Sequence, residues 1–304
     1  MIRNAGHRQL FTRVIRTSSF LARGNYFTAI AMLLFAGLSS VSVAQNTERR
    51  ESEIAAERAS GEITKWELIL EGPEQTKAVI EKDAALRWSW ADNGRLYGNV
   101  HIYTVHGRPV ALVEFFSWFS PIEGDYFQCT SMTGTPMTAT RSGESVWTPR
   151  GTSMVMRDVP DGPVPAATPA ARLVQMRRIA EAFRVEVEDK RGTGDISTTR
   201  QLRLLPHPMF RYESAQHDAL DGAIFAYVIS TDPGAMLLIE ATRTNGTVKW
   251  RYGFVRVWTY GAQAYLGVEQ VWSIPEVDPR KDLKADFYLN ALPQGSENRA
   301  FQTK

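Results

Sequence analysis

Runs of apolar residues broken by short turn signals fill most of the chain after residue 62. HisGly at 106–107 separates VHIYTV from PVALVEFFSWF. AspProGly at 232–234 separates AIFAYVIS from AMLLIEATR, and AsnGly at 245–246 separates that run from TVKWRYGFVRVW. Such short connections between neighbouring apolar runs predict antiparallel strand pairs. Two stretches have helical spacing instead. A polar one spans about Thr47 to Ser60, with Gly61 as its stop. The other begins at Thr168-Pro169, an N-cap residue followed by proline at the first helical position. On it Leu173, Met176, Ala180 and Phe183 share one face, while Arg172, Arg177, Arg178 and Glu181 are read as polar.

The strand pattern occurs twice. Leu86–Leu112 shifted by 124 positions falls on Phe210–Met236 without a gap, and seven of 27 positions are identical. They include Arg87/Arg211, Gly98/Gly222, Tyr103/Tyr227 and Pro109/Pro233. Average composition would give roughly one or two matches. Near the end of each stretch ESVWT (144–148) recurs as EQVWS (269–273). The expected fold class is therefore α+β in two similar halves, each a helix followed by an antiparallel meander of about five or six strands. The boundaries read as a leader over 1–44, a first repeat over 45–160, a second over 161–278 after the proline-rich VPDGPVPAATP, and a tail or short helix over 279–304.

The leader changes how charge is read. Arg3, Arg8, Arg13, Arg16 and Arg23 precede the apolar AIAMLLFAGL, and SSVSVAQ offers small residues before Gln45. A basic start, a short apolar run and an A-x-A-like site predict a secretory signal peptide cut after Ala44, with an uncleaved anchor as the alternative. Five of the 35 basic residues and none of the 33 acidic ones lie there, which leaves 30 against 33, net −3, for 45–304. That balance offers no basic stripe for nucleic acid. No membrane span is expected after residue 44. Cys129 is the one cysteine. An exported chain with one cysteine has no internal disulfide, so packing must supply its stability. Within YFQCTSM it reads as a small buried residue.

Motifs that carry chemistry are missing: no G-x-S-x-G, P-loop, H-E-x-x-H, C-x-x-C or G-x-G-x-x-G after a strand. His101 and His106 could approach Glu114 across a hairpin, but lack the spacing that makes a metal site specific. No metal or cofactor is expected. His207, between two prolines in LLPHPMFRYES, reads as a surface-turn residue. Trp250, Tyr252, Phe254 and Trp258 share a strand face, as do Leu112, Phe116 and Trp118 with Glu114. These aromatic stripes read as core, or as the lining of a curved sheet that holds an apolar ligand. Each half has one carboxylate in an apolar strand, Glu114 and Glu240, and one arginine beside an aromatic, Arg87-Trp88 and Arg211-Tyr212. Because a lone buried carboxylate is costly, Arg87–Glu114 and Arg211–Glu240 are expected as structural ion pairs.

The runs LLPHPMFRYES, LDGAIFAYVISTDPGAMLLIEATR and RWSW…YGNVHIYTVHGRPVALVEFFSWFSP together resemble an uncharacterised family of exported planctomycete-type bacterial proteins. The resemblance implies export and a shared architecture, and no assigned activity. The function expected is an exported non-catalytic binding or structural module. The alternatives are a periplasmic carrier of an apolar ligand and an enzyme with an unrecognised site.

Overall fold

The computed structural model describes residues 46–90, 94–189, 198–278, 280 and 282–293. The leader expected over 1–44 lies outside the described residues. Residues 46–63 form helix α1, which runs through Gly61 rather than stopping there. The reason is local: Ala59 and Ile63 are buried at helical spacing, so the last turn is held by packing. Helix α2 (Pro169–Glu181) starts as expected, with the Thr168 hydroxyl accepting from the Ala171 amide.

Among the described residues the remaining elements are a 3-10 turn (Ala215–His217) and antiparallel strands in four sheets, rather than one sheet per half. The chain runs β1 (Trp66–Leu70), β2 (Thr76–Lys77), β3 (Val79–Ile80), β4 (Leu86–Trp90), β5 (Arg95–Val105), β6 (Arg108–Ser120), β7 (Gly124–Ser131), β8 (Met137–Arg141), β9 (Glu144–Trp147) and β10 (Arg157–Asp158). After α2 come β11 (Phe183–Asp189), β12 (Thr198–Gln201), β13 (Arg203–Leu204), β14 (Phe210–Ser214), β15 (Ala219–Ile229), β16 (Asp232–Thr244), β17 (Thr247–Arg256), β18 (Ala262–Leu266), β19 (Glu269–Ile274) and β20 (Phe287–Ala291). The four-stranded sheets have orders β2-β1-β8-β9 and β12-β11-β18-β19. The six-stranded sheets have orders β20-β7-β6-β5-β3 and β10-β17-β16-β15-β13, with β4 on β5 and β14 on β15. So β10 pairs with a strand of the second half, and β20 with a strand of the first. The segment expected as a tail or short helix thus supplies an edge strand.

Period-two alternation assigns each six-stranded sheet two buried faces. Val100, Ile102 and Leu112 meet Ile224, Ala226, Met236 and Leu238 in a core shared by both sheets. Tyr103, Ala111 and Val113 face outward onto α1 and the first four-stranded sheet. Phe225, Leu237 and Ile239 likewise face α2 and the second. Near-continuous apolar runs in β5, β6, β15 and β16 follow from burial on both sides. One helix position departs from its expected face. Arg172 is buried, donating through Nε to Asp221 at 2.7 Å, and Arg211 grips the same carboxylate at 2.9 and 2.6 Å. This cluster fastens the start of α2 to β15.

One expected turn also moves. The HisGly hairpin joins β5 to β6 and AsnGly joins β16 to β17, each through left-handed residues. The β15–β16 turn, however, is made at Ser230 and Thr231, with Ser230 at φ 53. Asp232, Pro233 and Gly234 lie inside β16, where Pro233 sits at a register shift opposite Val228. A proline is tolerated at such an irregularity because no ladder donor is required of it.

Glycine is required where two rings cross β5 and β15. A Cβ on Gly98 would meet the Trp88 indole at 2.1 Å, and one on Gly222 the Tyr212 phenol at 2.5 Å. Overpacking of this kind costs about 1–3 kcal/mol, so Gly98→Ala and Gly222→Ala should each destabilise by at least that amount in urea unfolding. Gly61→Ala, in a helix with no neighbour within 4 Å of the added carbon, should instead stabilise by about 0.5–1 kcal/mol. Similar small effects at all three sites would show that the rings do not rest on the strand backbone.

Candidate functional site

Glu114 and Glu240 both point into the core between the six-stranded sheets, since Leu112 and Leu238 on the same faces lie there. Each is 2 % exposed. Neither is bonded to the arginine expected for it. Arg87 and Trp88 are adjacent on β4 and therefore face opposite ways; Arg87 is exposed and Trp88 buried. It is the Trp88 indole N–H that donates to Glu114. In the second half the Tyr212 hydroxyl donates to Glu240 at 2.5 Å, while Arg211 turns away to Asp221. The ring beside each arginine, not the arginine, reaches the carboxylate.

The second shared feature comes from hairpins. Arg108 and Asp232 are the first residues of β6 and β16, and both strands have 13 residues. Arg108 crosses to the other sheet and forks onto Glu240, with Nε at 2.7 Å and Nη2 at 3.1 Å. This is the geometry in which guanidinium and carboxylate bind most strongly. Glu240 is thus closed by a cation and a phenol. Burial pushes the Tyr212 phenol well above its ordinary range, and the Glu240 charge adds to this, so the hydroxyl keeps its proton.

The Glu114 end differs. Its second donor is the Gln128 amide, which also donates to the Val257 carbonyl at 2.7 Å. From the opposite sheet comes Asp232, 3 % exposed, which accepts from the Trp258 indole at 3.2 Å. Burial pushes the Glu114 carboxyl well above its ordinary value, and the charge of Asp232 pushes it further; Gln128 and Trp88 act the other way. Glu114 accordingly favours its neutral form.

A cavity of about 290 Å³ opens beside this end. Asp232 and Gln128 contribute its buried polar lining, and four of the chain's eight tryptophans, Trp88, Trp90, Trp118 and Trp258, line it. Phe116, Tyr126 and Tyr260 add further rings. Trp90 and Trp258, from different halves, stack at 5.8 Å and 9°. Phe116 stacks on Tyr126 at 5.4 Å. Exposed Arg280 and Ile122 stand at the rim. Glu114 does not line the cavity; it lies behind Trp88 and Gln128. A smaller cavity of about 160 Å³, between α1 and the first half, is lined by Arg58–Asp125 and Glu62–Arg141 ion pairs. Its charges satisfy one another. No family model, curated protein or solved structure matches the chain.

The other residues singled out in the sequence lie elsewhere. His101 packs on Phe115, on the face of the sheet opposite Glu114, and His106 sits in the hairpin turn. Among the described residues no group of three His, Cys, Asp or Glu side chains converges for a metal. His207 is an exposed turn residue 2.8 Å from Arg177. Cys129 is fully buried in β7, and burial pushes its thiol well above the ordinary range. Of the aromatic stripes, Trp250, Tyr252 and Phe254 belong to the core against Phe183, whereas Phe116, Trp118 and Trp258 reach the cavity. Asp232 was missed because Asp-Pro-Gly reads as a turn. The shift of 124 carried the signal, since it sets Asp232 opposite Arg108 and moves the turn to 230–231.

The ion pair is testable by unfolding. Arg108→Met or Glu240→Gln alone strands a buried partner and should cost about 3–5 kcal/mol, with the double variant costing clearly less than the sum. Arg211→Met should add independently to Glu240→Gln. Glu114 predicts a pH effect of definite sign. Its folded-state carboxyl holds the proton above the ordinary 4.5, so the native state binds more protons than the unfolded chain. Its contribution to stability is therefore present below 4.5 and is lost as pH rises through the folded value. Glu114→Gln should flatten that decline; a wild-type profile without the decline would contradict the protonated state.

Proposed function

We propose that the chain is a non-catalytic ligand-binding module whose ligand occupies the aromatic cavity beside Asp232 and Gln128. The observation that carries this is the difference between two similarly built ends of the central core. One is closed by Arg108 on Glu240. The other has an acid where the arginine stands, and next to it a cavity lined with rings. Pockets for small molecules are mostly apolar, with a few placed polar groups. A volume of about 290 Å³ suits a ligand of one ring or a short chain and is far too small for a two-chain lipid. Binding is favoured over catalysis because Glu114 is shielded from the cavity and capped by two donors.

The same reading includes an internal duplication. Supporting it are identical registers at the 124 shift: Arg87 opposite Asn99 and Arg211 opposite Ala223, Tyr103 opposite Ala111 and Tyr227 opposite Ala235. A register shift follows Tyr103 and Tyr227 alike. A comparable cost at Gly98 and Gly222 is what duplication leads one to expect.

Titration with 2-phenylethanol, a neutral ring-bearing probe, tests the cavity through tryptophan fluorescence. Trp118→Ala, at a half-buried lining position, should weaken binding about tenfold or more, as truncation of an aromatic anchor does. Tyr265→Ala, on the outer sheet, should leave it unchanged. Absence of any saturable response would overturn the reading.

A further inference from the structure

We infer that the chain has a second binding site, for a small aromatic carboxylate, in a cavity of about 220 Å³ between the segment 153–157 and β19. It shares no lining residue with the tryptophan-lined cavity. Strand registers relate this corner to one in the first half. Phe127 lies opposite Phe115, and Tyr252 opposite Ile239. Phe115 and Ile239 are related by the 124 shift, so Phe127 and Tyr252 hold equivalent places. Asn290 lies opposite Phe127, and Arg157 opposite Tyr252. Tyr288 and Val155, each two residues earlier, therefore correspond. Trp147 and Trp272 are the tryptophans of the recurrent ESVWT and EQVWS.

The two corners are finished differently. In the first, Trp147 is fully buried and its indole donates to the Ala285 carbonyl at 2.9 Å. Tyr288, 5 % exposed, packs in the same cluster. In the second, Val155 stands in the tyrosine's place and is 60 % exposed. Trp272 is half-buried, and its indole N–H, itself buried, has no hydrogen-bond partner among the described residues. The buried Ser153 hydroxyl has none either, and both residues line the cavity. A buried polar group left without a partner is costly, so each gains from an acceptor. The first half shows what fits the place: one ring and one carbonyl oxygen, both supplied by the chain. In the second half a ligand of that shape would supply them, with Val155, Phe254 and Ile274 as apolar walls for its ring.

The charge of the ligand follows from Arg157, the one charged residue in the lining. Its Nη1 donates to the Val271 carbonyl at 2.7 Å, and it also interacts with the Tyr252 hydroxyl, which holds it at the cavity wall. A held guanidinium, an indole N–H and a hydroxyl, with no acid in the lining, favour a carboxylate over an amine or a neutral carbonyl. The charge of Glu269 reaches Tyr252, but Glu269 is exposed and lies outside the lining.

Calorimetry with phenylacetate and its neutral match phenylacetamide tests the site. Phenylacetate should bind saturably and about tenfold or more tightly than the amide, because its bonds are charge-assisted. Arg157→Gln should remove that preference. Trp272→Phe keeps a ring, loses the N–H and should weaken phenylacetate about tenfold. Val155→Tyr restores the side chain that fills the first corner and should abolish binding, with thermal unfolding confirming that the variant folds. Trp118→Ala, in the other cavity, should leave phenylacetate binding unchanged. Absence of saturable phenylacetate binding, or binding that survives both Val155→Tyr and Trp272→Phe, overturns the site. Equal affinity for acid and amide overturns the carboxylate. Loss of binding in Trp118→Ala would move the ligand to the tryptophan-lined cavity and overturn the second site.

Discussion

Two carboxylates buried in the core between the six-stranded sheets set the terms for the rest of the molecule. A lone ionised carboxylate there would be prohibitive, so each must be neutralised or well supplied with donors. The chain does this from within the sheet. A ring on β4 or β14 lies flat across a glycine on β5 or β15 and extends its donor to the glutamate on β6 or β16. The glycine is needed because the ring occupies the space of a side chain. Glu114 and Glu240 differ by two positions under the 124 shift, one pleat, which preserves the face. The indole N–H and the phenol O–H, placed differently on their rings, match that offset.

From there the two ends diverge. Arg108 and Asp232 begin equivalent strands and reach across to the opposite sheet, but with opposite charge. Where Arg108 does so, the result is an ion pair. Where Asp232 does so, Glu114 is driven toward its neutral form and a cavity remains. Each hairpin turn is also bonded to the other half, Thr231 to Ser89 at 2.9 Å and Ser214 to the His106 carbonyl at 2.7 Å. The exchanged edge strands β10 and β20 strengthen the same union. The cavity is therefore lined both by strand residues such as Trp88, Phe116 and Gln128 and by connecting residues such as Thr259 and Tyr260.

Much of this was legible in the sequence, and the misses have physical causes. Strand pairing, α2 and two of the hairpins follow from periodicity and turn chemistry. The burial of both glutamates follows from their apolar strands. Their partners do not, because adjacent residues on a strand face opposite ways and the aromatic neighbour, not Arg87 or Arg211, faces inward. Asp-Pro-Gly misled because turn propensity is local, while the position of the β15–β16 turn is fixed by pairing along eleven residues. The exchange of β10 and β20 is a long-range pairing that no local pattern encodes.

The misread Asp232 is informative in its own right. Local preference and global placement disagree there, and such conflicts cost stability unless the structure gains something from them. Glu240 has Arg108 in the central core, and Asp221, on the face of β15 toward α2, has Arg172 and Arg211. At the Glu114 end the chain places a second acid near the first and surrounds both with rings. An acid so placed makes one wall of the cavity polar, while the stacked rings of Trp90 and Trp258 make another apolar.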